Sequence, residues 1–345
     1  MTNNTIPIAI AGSTQQTQKC AQALAQSNQF KIQWILTPRP KETGREKKTK
    51  PNPFLQWSQT ETDHFFLVNN KINQTLKSKI QKLNQTQPVE ILLVVDFGYI
   101  IPDWLLQIPT TASVNIHPSD LPRWRGSSPG QLVLLTREQK SAVTLIKLNN
   151  KLDQGPIIGK IPFEVNNTWN HQDYYDYSFK LMADKLPTIL REFIKNPKQT
   201  TPQPKKSPTP IARKITKDDA FVPWDLVASF LSQKQRANYQ IKTQLTQTLQ
   251  LFPEKSLLKD RLEAKPKEIW PDLIERASRA FSPWPLLWTK LPTRKNQRRM
   301  QLLSCELSFN PHAKDKNKKK LLKLNEVRIA GQSQAQWNQV KNILG

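Results

Sequence analysis

The apolar positions of this chain fall into short unbroken runs separated by stretches of helical spacing. The opening run IPIAIAGS ends in Gly12 and Ser13, as a buried parallel strand does when it turns into a helix, here one carrying Cys20, Ala21, Ala23 and Leu24. Further strands are expected at Phe30 to Leu36, near Phe65 to Val68, at Val89 to Val95 and at Ala112 to His117. Helical patterns lie between them, as at Lys71 to Leu83 and Pro129 to Thr136. Strand alternating with helix predicts a Rossmann-like, doubly wound α/β domain with a mostly parallel sheet.

After the fifth strand the pattern changes. Two β-like runs, Ala142 to Leu148 and Pro156 to Pro162, flank an LDQG turn, and an amphipathic helix is expected from about Tyr174 to Ile194. Asn196 to Pro210 (NPKQTTPQPKKSPTP) has no hydrophobic period and is rich in Pro, Thr and Lys, which predicts an extended connector. Beyond it, apolar runs at Trp284 to Leu291, Met300 to Leu307 and Leu321 to Ile329 suit a small antiparallel, OB-like β-barrel. Leu226 to Leu262, rich in Gln, Leu and Lys, reads as helix. The expected organisation is a domain over residues 1–195, a linker over 196–212, and a C-terminal barrel domain over 213–345 with a helical insertion at about 226–270.

Composition narrows the partners. The 345 residues carry 52 Lys and Arg against 27 Asp and Glu, a formal charge of +25. Residues 1–195 hold 23 basic and 15 acidic side chains, and residues 196–345 hold 29 and 12. The C-terminal part is therefore the stronger candidate for a polyanion such as nucleic acid, although a compositional bias toward Lys, Asn and Gln would produce some of the same excess. Cys20 and Cys305 alone exclude a disulfide framework or a thiolate zinc site, and suit a reducing cytoplasm. Apolar runs fall short of a membrane span, and the N-terminus lacks a secretory pattern, so a cytoplasmic protein with no membrane partner is expected.

Chemistry concentrates in Ser113 to Gln131, SVNIHPSDLPRWRGSSPGQ. Side chains alternate along a strand, so Asn115 and His117 share a face, roughly 6 to 7 Å apart. An amide and an imidazolium both donate hydrogen bonds to developing negative charge, and a carboxylate nearby favours the protonated ring. Taken singly, Asn115 could satisfy a strand-end backbone group, His117 could orient the turn before Pro118, and Asp153 could be an ordinary turn residue. No GxGxxG or GxxxxGK[ST] occurs, and the close pair His171 and Asp173 has no third ligand, so no metal is expected.

This stretch resembles the signature of the folate-dependent formyltransferases, most closely that of their tRNA-specific members. The resemblance extends to ILLVVDFGYIIP at Ile91 to Pro102, LDQG at Leu152 to Gly155, KITKDD at Lys214 to Asp219, and RAFSPWP at Arg279 to Pro285. It runs from about residue 7 to the C-terminus, with an atypical stretch near 228 to 270. It implies a one-carbon transferase whose formyl donor is 10-formyltetrahydrofolate and whose acceptor is the free amino group of initiator Met-tRNA; the chain is expected to act as a monomer. It also implies Asn115, His117 and Asp153 as the catalytic residues.

Ser119, Asp120, Leu121 and Pro122 stand where the family's Ser-Leu-Leu-Pro contacts folate, with Asp120 replacing an apolar residue. Arg123 and Arg125 could meet the folate tail, an RNA phosphate or solvent. The basic loop Pro38 to Phe54 stands where tRNA-specific members insert into the acceptor stem, and Arg45, Lys47 and Lys48 are its candidate tRNA contacts. Lys290 to Arg299 and Lys314 to Lys323 offer further phosphate contacts. Two rival readings remain: a formyltransferase for glycinamide ribonucleotide or an amino-sugar nucleotide, and a non-catalytic RNA-binding protein on the same scaffold.

Overall fold

The computed structural model describes residues 5–43, 48–232, 235, 266–309 and 320–344. It divides into two compact units. The first takes residues 1–126, 140–164 and 175–211, and the second takes 127–139, 165–174 and 212–345.

The first unit is built on a seven-stranded sheet. Its strands are β1 (Ile6–Gly12), β2 (Phe30–Pro38), β5 (Phe65–Val68), β6 (Ile91–Val95), β7 (Ala112–His117), β8 (Lys140–Lys147) and β9 (Ile157–Glu164). They lie in the order β5-β2-β1-β6-β7-β8-β9. The first five are parallel, and β8 and β9 continue the sheet antiparallel. A short antiparallel pair, β3 (Lys41–Thr43) and β4 (Lys48–Lys50), lies apart from this sheet.

Both faces of the sheet are covered, which is why β1 and β6 at its centre are apolar along their length. Ile8 and Ile10 of β1 pack on one face with helix α1 (Gln15–Gln26) and the residues Phe179, Met182, Leu186 and Leu190 of helix α6 (His171–Lys195). Ala9 and Ala11 pack on the other with Trp34, Leu36, Ile80 of helix α3 (Gln74–Thr86), and Leu105 of helix α4 (Asp103–Leu106). A small residue at position 12 is obligatory: a Cβ on Gly12 would lie 2.2 Å from Thr17 Cγ2 and 2.6 Å from the Val95 carbonyl. Thr17 Oγ1 donates to that same carbonyl at 2.8 Å, and Thr14 caps α1. The β1–α1 turn is thereby tied to the end of β6.

The second unit carries helices α5 (Pro129–Thr136), α7 (Trp224–Phe230) and α8 (Pro266–Ala280), and a four-stranded antiparallel sheet. Its strands are β10 (Trp288–Pro292), β11 (Gln297–Phe309), β12 (Lys320–Ile329) and β13 (Gln334–Gln336) in chain order. The sheet is barrel-like but open. Among the described residues β13 pairs only with β12, through three residue pairs. Arg276 of α8 donates to the Leu135 carbonyl of α5 and pairs with Asp272, and Arg137 reaches Asp272 at 3.1 Å. Most of the expected helical insertion, residues 233–234 and 236–265, lies outside the described residues, as does most of Lys314 to Lys323.

The expected connector has internal structure. Residues up to 211 belong to the first unit. Thr201 exchanges two backbone hydrogen bonds of 2.8 Å with Ile157, and Ser207 and Thr209 bond to the loop after β7. Its polar side chains, rather than an apolar stripe, attach it, and a search for hydrophobic period does not register that kind of attachment.

Candidate active site

Asn115 and His117 lie on the last turn of the pleat of β7, at the carboxyl end of the parallel strands, where open α/β sheets place their ligands. Asn115 is half-buried and His117 is buried. His117 Nε2 lies 3.0 Å from the Trp124 carbonyl oxygen. A carbonyl only accepts, so Nε2 carries a proton here, and Nδ1 is the nitrogen turned to Asp153. Nδ1 stands 3.7 Å from Asp153 Oδ2, with side-chain exposures of 5% and 11%.

Asp153 comes from the turn between β8 and β9. Its φ is +50°, a left-handed conformation that Asp tolerates better than most residues with a Cβ. Oδ2 accepts from the Gly126 N–H at 2.7 Å. Gly155 lets this turn close: a Cβ there would lie 1.6 Å from the Lys147 carbonyl oxygen. The LDQG spacing therefore has a steric cause at its glycine and an electrostatic one at its aspartate.

In the segment Ser119 to Pro122, which follows β7, Ser119 and Leu121 are buried and Asp120 and Pro122 are half-buried. Each of its four carbonyls accepts from the protein: Ser119 from Thr144 Oγ1 at 2.7 Å, Asp120 from the Arg123 N–H at 3.0 Å, Leu121 from Lys160 Nζ at 2.7 Å, and Pro122 from Ser207 Oγ at 2.7 Å. Asp120, the unexpected carboxylate, pairs with Lys160 Nζ at 2.6 Å. Its charge is thus opposed inside the site. Lys160 was not singled out from the sequence, because one lysine in an alternating strand carries no distinguishing signal.

Arg125 differs from the expectation for a loop charge. It is 2% exposed, and its guanidinium donates to Gln203 Oε1 at 2.9 and 3.1 Å, to the Pro204 carbonyl at 2.8 Å and to the Lys205 carbonyl at 3.2 Å. Burial pushes its pKa down and Asp153 opposes that shift. A side chain so engaged is part of the scaffold, whereas Arg123 lies over the Trp124 ring at 5.9 Å.

Of the candidate tRNA contacts, Arg45 and Lys47 lie outside the described residues, and Lys48 opens β4 opposite Thr43. In the second unit, Lys290 pairs across β10 and β11 with Arg299, which lies 4.2 Å above the Trp288 ring, and Arg294 and Lys295 are exposed in the intervening turn. Within KITKDD, Asp219 binds Arg213 at 2.8 and 2.5 Å and the Thr216 N–H at 2.7 Å. Asp173 and Asn170 bond reciprocally at the start of α6, a capping arrangement. Among the described residues no cluster of His, Cys, Asp and Glu could hold a metal ion, and no helix is long and apolar enough to cross a membrane.

A family model described as formyl transferase matches residues 5–189, more than half of the chain. The chain belongs to the formyl transferase family. Its Asn115, His117 and Asp153 all fall within the matched region. Among curated relatives, the methionyl-tRNA formyltransferase of Legionella pneumophila (strain Paris) is 28% identical over 234 residues, covering 68% of this chain and 73% of the relative. The methionyl-tRNA formyltransferase of Wolbachia pipientis subsp. Culex pipiens is 31% identical over 173 residues, covering 48% and 54%. Among solved structures, WlaRD, a sugar 3N-formyl transferase crystallised in the presence of dTDP and 5-N-formyl-THF, matches with a TM-score of 0.54 at 16% identity. The match covers 96% of this chain and all of that one. At that identity the likeness is one of fold, and it extends to the Rossmann-like formyltransferase domain and the antiparallel sheet that follows it.

Proposed function

We propose that this formyl transferase moves a formyl group from 10-formyltetrahydrofolate to the free amino group of the methionyl moiety of initiator Met-tRNA. The observation that carries the chemistry is the juxtaposition of His117 and Asp153, 3.7 Å apart at the end of the strand that also presents Asn115. The acceptor follows from the curated relatives, which are methionyl-tRNA formyltransferases matched over two thirds of this chain.

In this reading the donor supplies an electrophilic formyl carbon. Attack by the amine places negative charge on the formyl oxygen and leaves a proton to be removed from nitrogen. The Asn115 amide donates to that oxygen. His117 adds a second donor when Nε2 exchanges the Trp124 carbonyl for it. Asp153 stabilises the charged imidazole and assists removal of the amine proton; collapse of the tetrahedral species then breaks the bond between the formyl carbon and N10 of the donor, and that nitrogen takes up the proton and leaves as tetrahydrofolate. Donor binding is compatible with the residues present, because Lys160 offsets the carboxylate of Asp120 beside a ligand that is itself anionic.

Arg45, Lys47 and Lys48, together with Lys290, Arg294, Lys295 and Arg299 of the second unit, contact the acceptor's phosphates. Phosphate contacts position a nucleic acid and make its affinity depend on salt. The test is incubation with 10-formyltetrahydrofolate and either charged initiator tRNA or glycinamide ribonucleotide. Formyl-methionyl-tRNA is the expected product. Formylation of the ribonucleotide alone would replace the acceptor assignment.

A further inference from the structure

We infer that Gln203 is a positioning residue for Asp153, and that the segment after α6 orients the catalytic turn through it. The inference rests on the reading of Asp153 as the carboxylate that serves His117.

The Gln203 side chain has one possible orientation. The Arg125 guanidinium only donates, so Oε1 must face it, at 2.9 and 3.1 Å. The carbonyls of Asp153 and Gly155 only accept, so the amide Nε2 must face them, at 2.9 and 2.7 Å. One side chain thus uses its acceptor on one loop and both its donors on the other. The two carbonyls it holds bracket the LDQG turn at its aspartate and its glycine.

Asp153 needs such a restraint. Its φ of +50° lies in a region sparsely populated by residues with a Cβ, and such conformations persist only where the surroundings over-determine them. Two bonds fix it: the Gly126 N–H on its carboxylate and the Gln203 amide on its own carbonyl. The neighbours of Gln203 act on the opposite loop. Thr209 Oγ1 accepts from the Trp124 N–H at 2.6 Å, and Ser207 Oγ donates to the Pro122 carbonyl at 2.7 Å. Trp124 is also the residue whose carbonyl receives His117 Nε2. The segment therefore bonds directly to the Asp153 backbone, and on the histidine side to the backbone of Trp124, whose carbonyl receives His117.

Two substitutions separate positioning from packing. Gln203→Leu removes both functions of the amide. Gln203→Glu keeps an acceptor for Arg125 and turns an oxygen toward the two carbonyls. The expected result is that both variants lower kcat, by about 100-fold as for a small misplacement of a reacting group, while KM for Met-tRNA stays within about twofold. Hydrogen exchange at the Gly126 amide should accelerate in both, at a temperature where both remain folded. Near-normal kcat and exchange in Gln203→Glu would assign the residue to holding Arg125 and overturn the proposal. So would a Gln203→Leu variant with lowered Tm but unchanged kcat and exchange. If the native protein formylates no Met-tRNA, the functional reading fails, and exchange at Gly126 in the two variants still decides whether Gln203 holds the turn.

Discussion

Asp153 Oδ2 accepts from the Gly126 N–H at 2.7 Å while standing 3.7 Å from His117 Nδ1, so one carboxylate oxygen serves both the loop that follows β7 and the histidine at that strand's end. The shorter bond fixes where the oxygen sits. The longer separation leaves His117 room to shift toward substrate without moving the aspartate. Replacing Asp153 by Asn tests the charge apart from the geometry, because a carboxamide oxygen can still accept from Gly126. Asp153→Asn should keep its Tm within a few degrees and lose turnover by roughly 100- to 10,000-fold, the range of a general acid–base contribution. Thermal melts beside single-turnover rates check both halves.

Asn115 carries a narrower prediction. Its side chain lies at the strand end and is half-buried, so Asn115→Ala removes a donor without opening the core. Turnover should fall by roughly 100- to 1,000-fold, as when a preorganised donor to a developing oxyanion is lost. Affinity for Met-tRNA, measured by filter binding, should be unchanged. Equal losses in affinity and rate would instead assign Asn115 to binding.

The Asp120–Lys160 pair makes a prediction about the formyl donor. Lys160 holds both the Asp120 carboxylate at 2.6 Å and the Leu121 carbonyl at 2.7 Å, so Lys160→Met leaves an unopposed negative charge and a freed carbonyl beside the donor. For a half-exposed pair the effect is modest: KM for 10-formyltetrahydrofolate should rise about 5- to 10-fold. Adding Asp120→Leu should recover most of that loss. A double variant as impaired as the single one would show that the pair does not act on donor binding.

Much of the fold was legible because burial imposes a pattern. β7 and α5 lie at the expected bounds, Ala112 to His117 and Pro129 to Thr136, since each is a compact apolar run between clear turn signals. His117 and Asp153 could be named because the stretches that carry them, an apolar strand end and a glycine-bounded turn, resemble the formyltransferase signature. Gln203, Ser207 and Thr209 could not. They sit among prolines and lysines with no period, and what ties them to the site is a set of single hydrogen bonds to backbone groups far away in sequence. Arg125 was misleading for a related reason: a charge in a turn-rich loop is usually solvated, and the Gln203 amide oxygen together with the carbonyls of Pro204 and Lys205 makes its burial tolerable.

Gly155→Ala should be among the most damaging single-methyl changes in the chain. The new Cβ would lie 1.6 Å from the Lys147 carbonyl oxygen, and backbone cannot rotate away as a flexible side chain can. The turn must open, which breaks the Gln203 contact with the Gly155 carbonyl and displaces Asp153. A loss of about 3 kcal/mol or more is expected, seen as a fall in Tm of roughly 6 to 12 °C. Activity should fall at temperatures where the variant is still folded, because the displaced turn carries the carboxylate.

His171, the first residue of α6, supplies a pH dependence separate from the catalytic pair. Burial pushes its pKa down to about 4, from an ordinary value near 6.5. The fold therefore favours the neutral ring, and protons bind more readily to the unfolded chain. The stability this contributes is fully present above pH 6.5 and is lost progressively as pH falls from 6.5 toward 4. Its upper bound is about 3 kcal/mol. Carboxylates begin to titrate at the lower end of the same window, so the informative quantity is a difference. Denaturant midpoints of the native protein and of His171→Gln, measured from pH 8 to pH 4, should converge as the pH falls, because only the native protein carries this part-buried ring. Parallel curves across that window would mean that His171 reaches solvent when it charges.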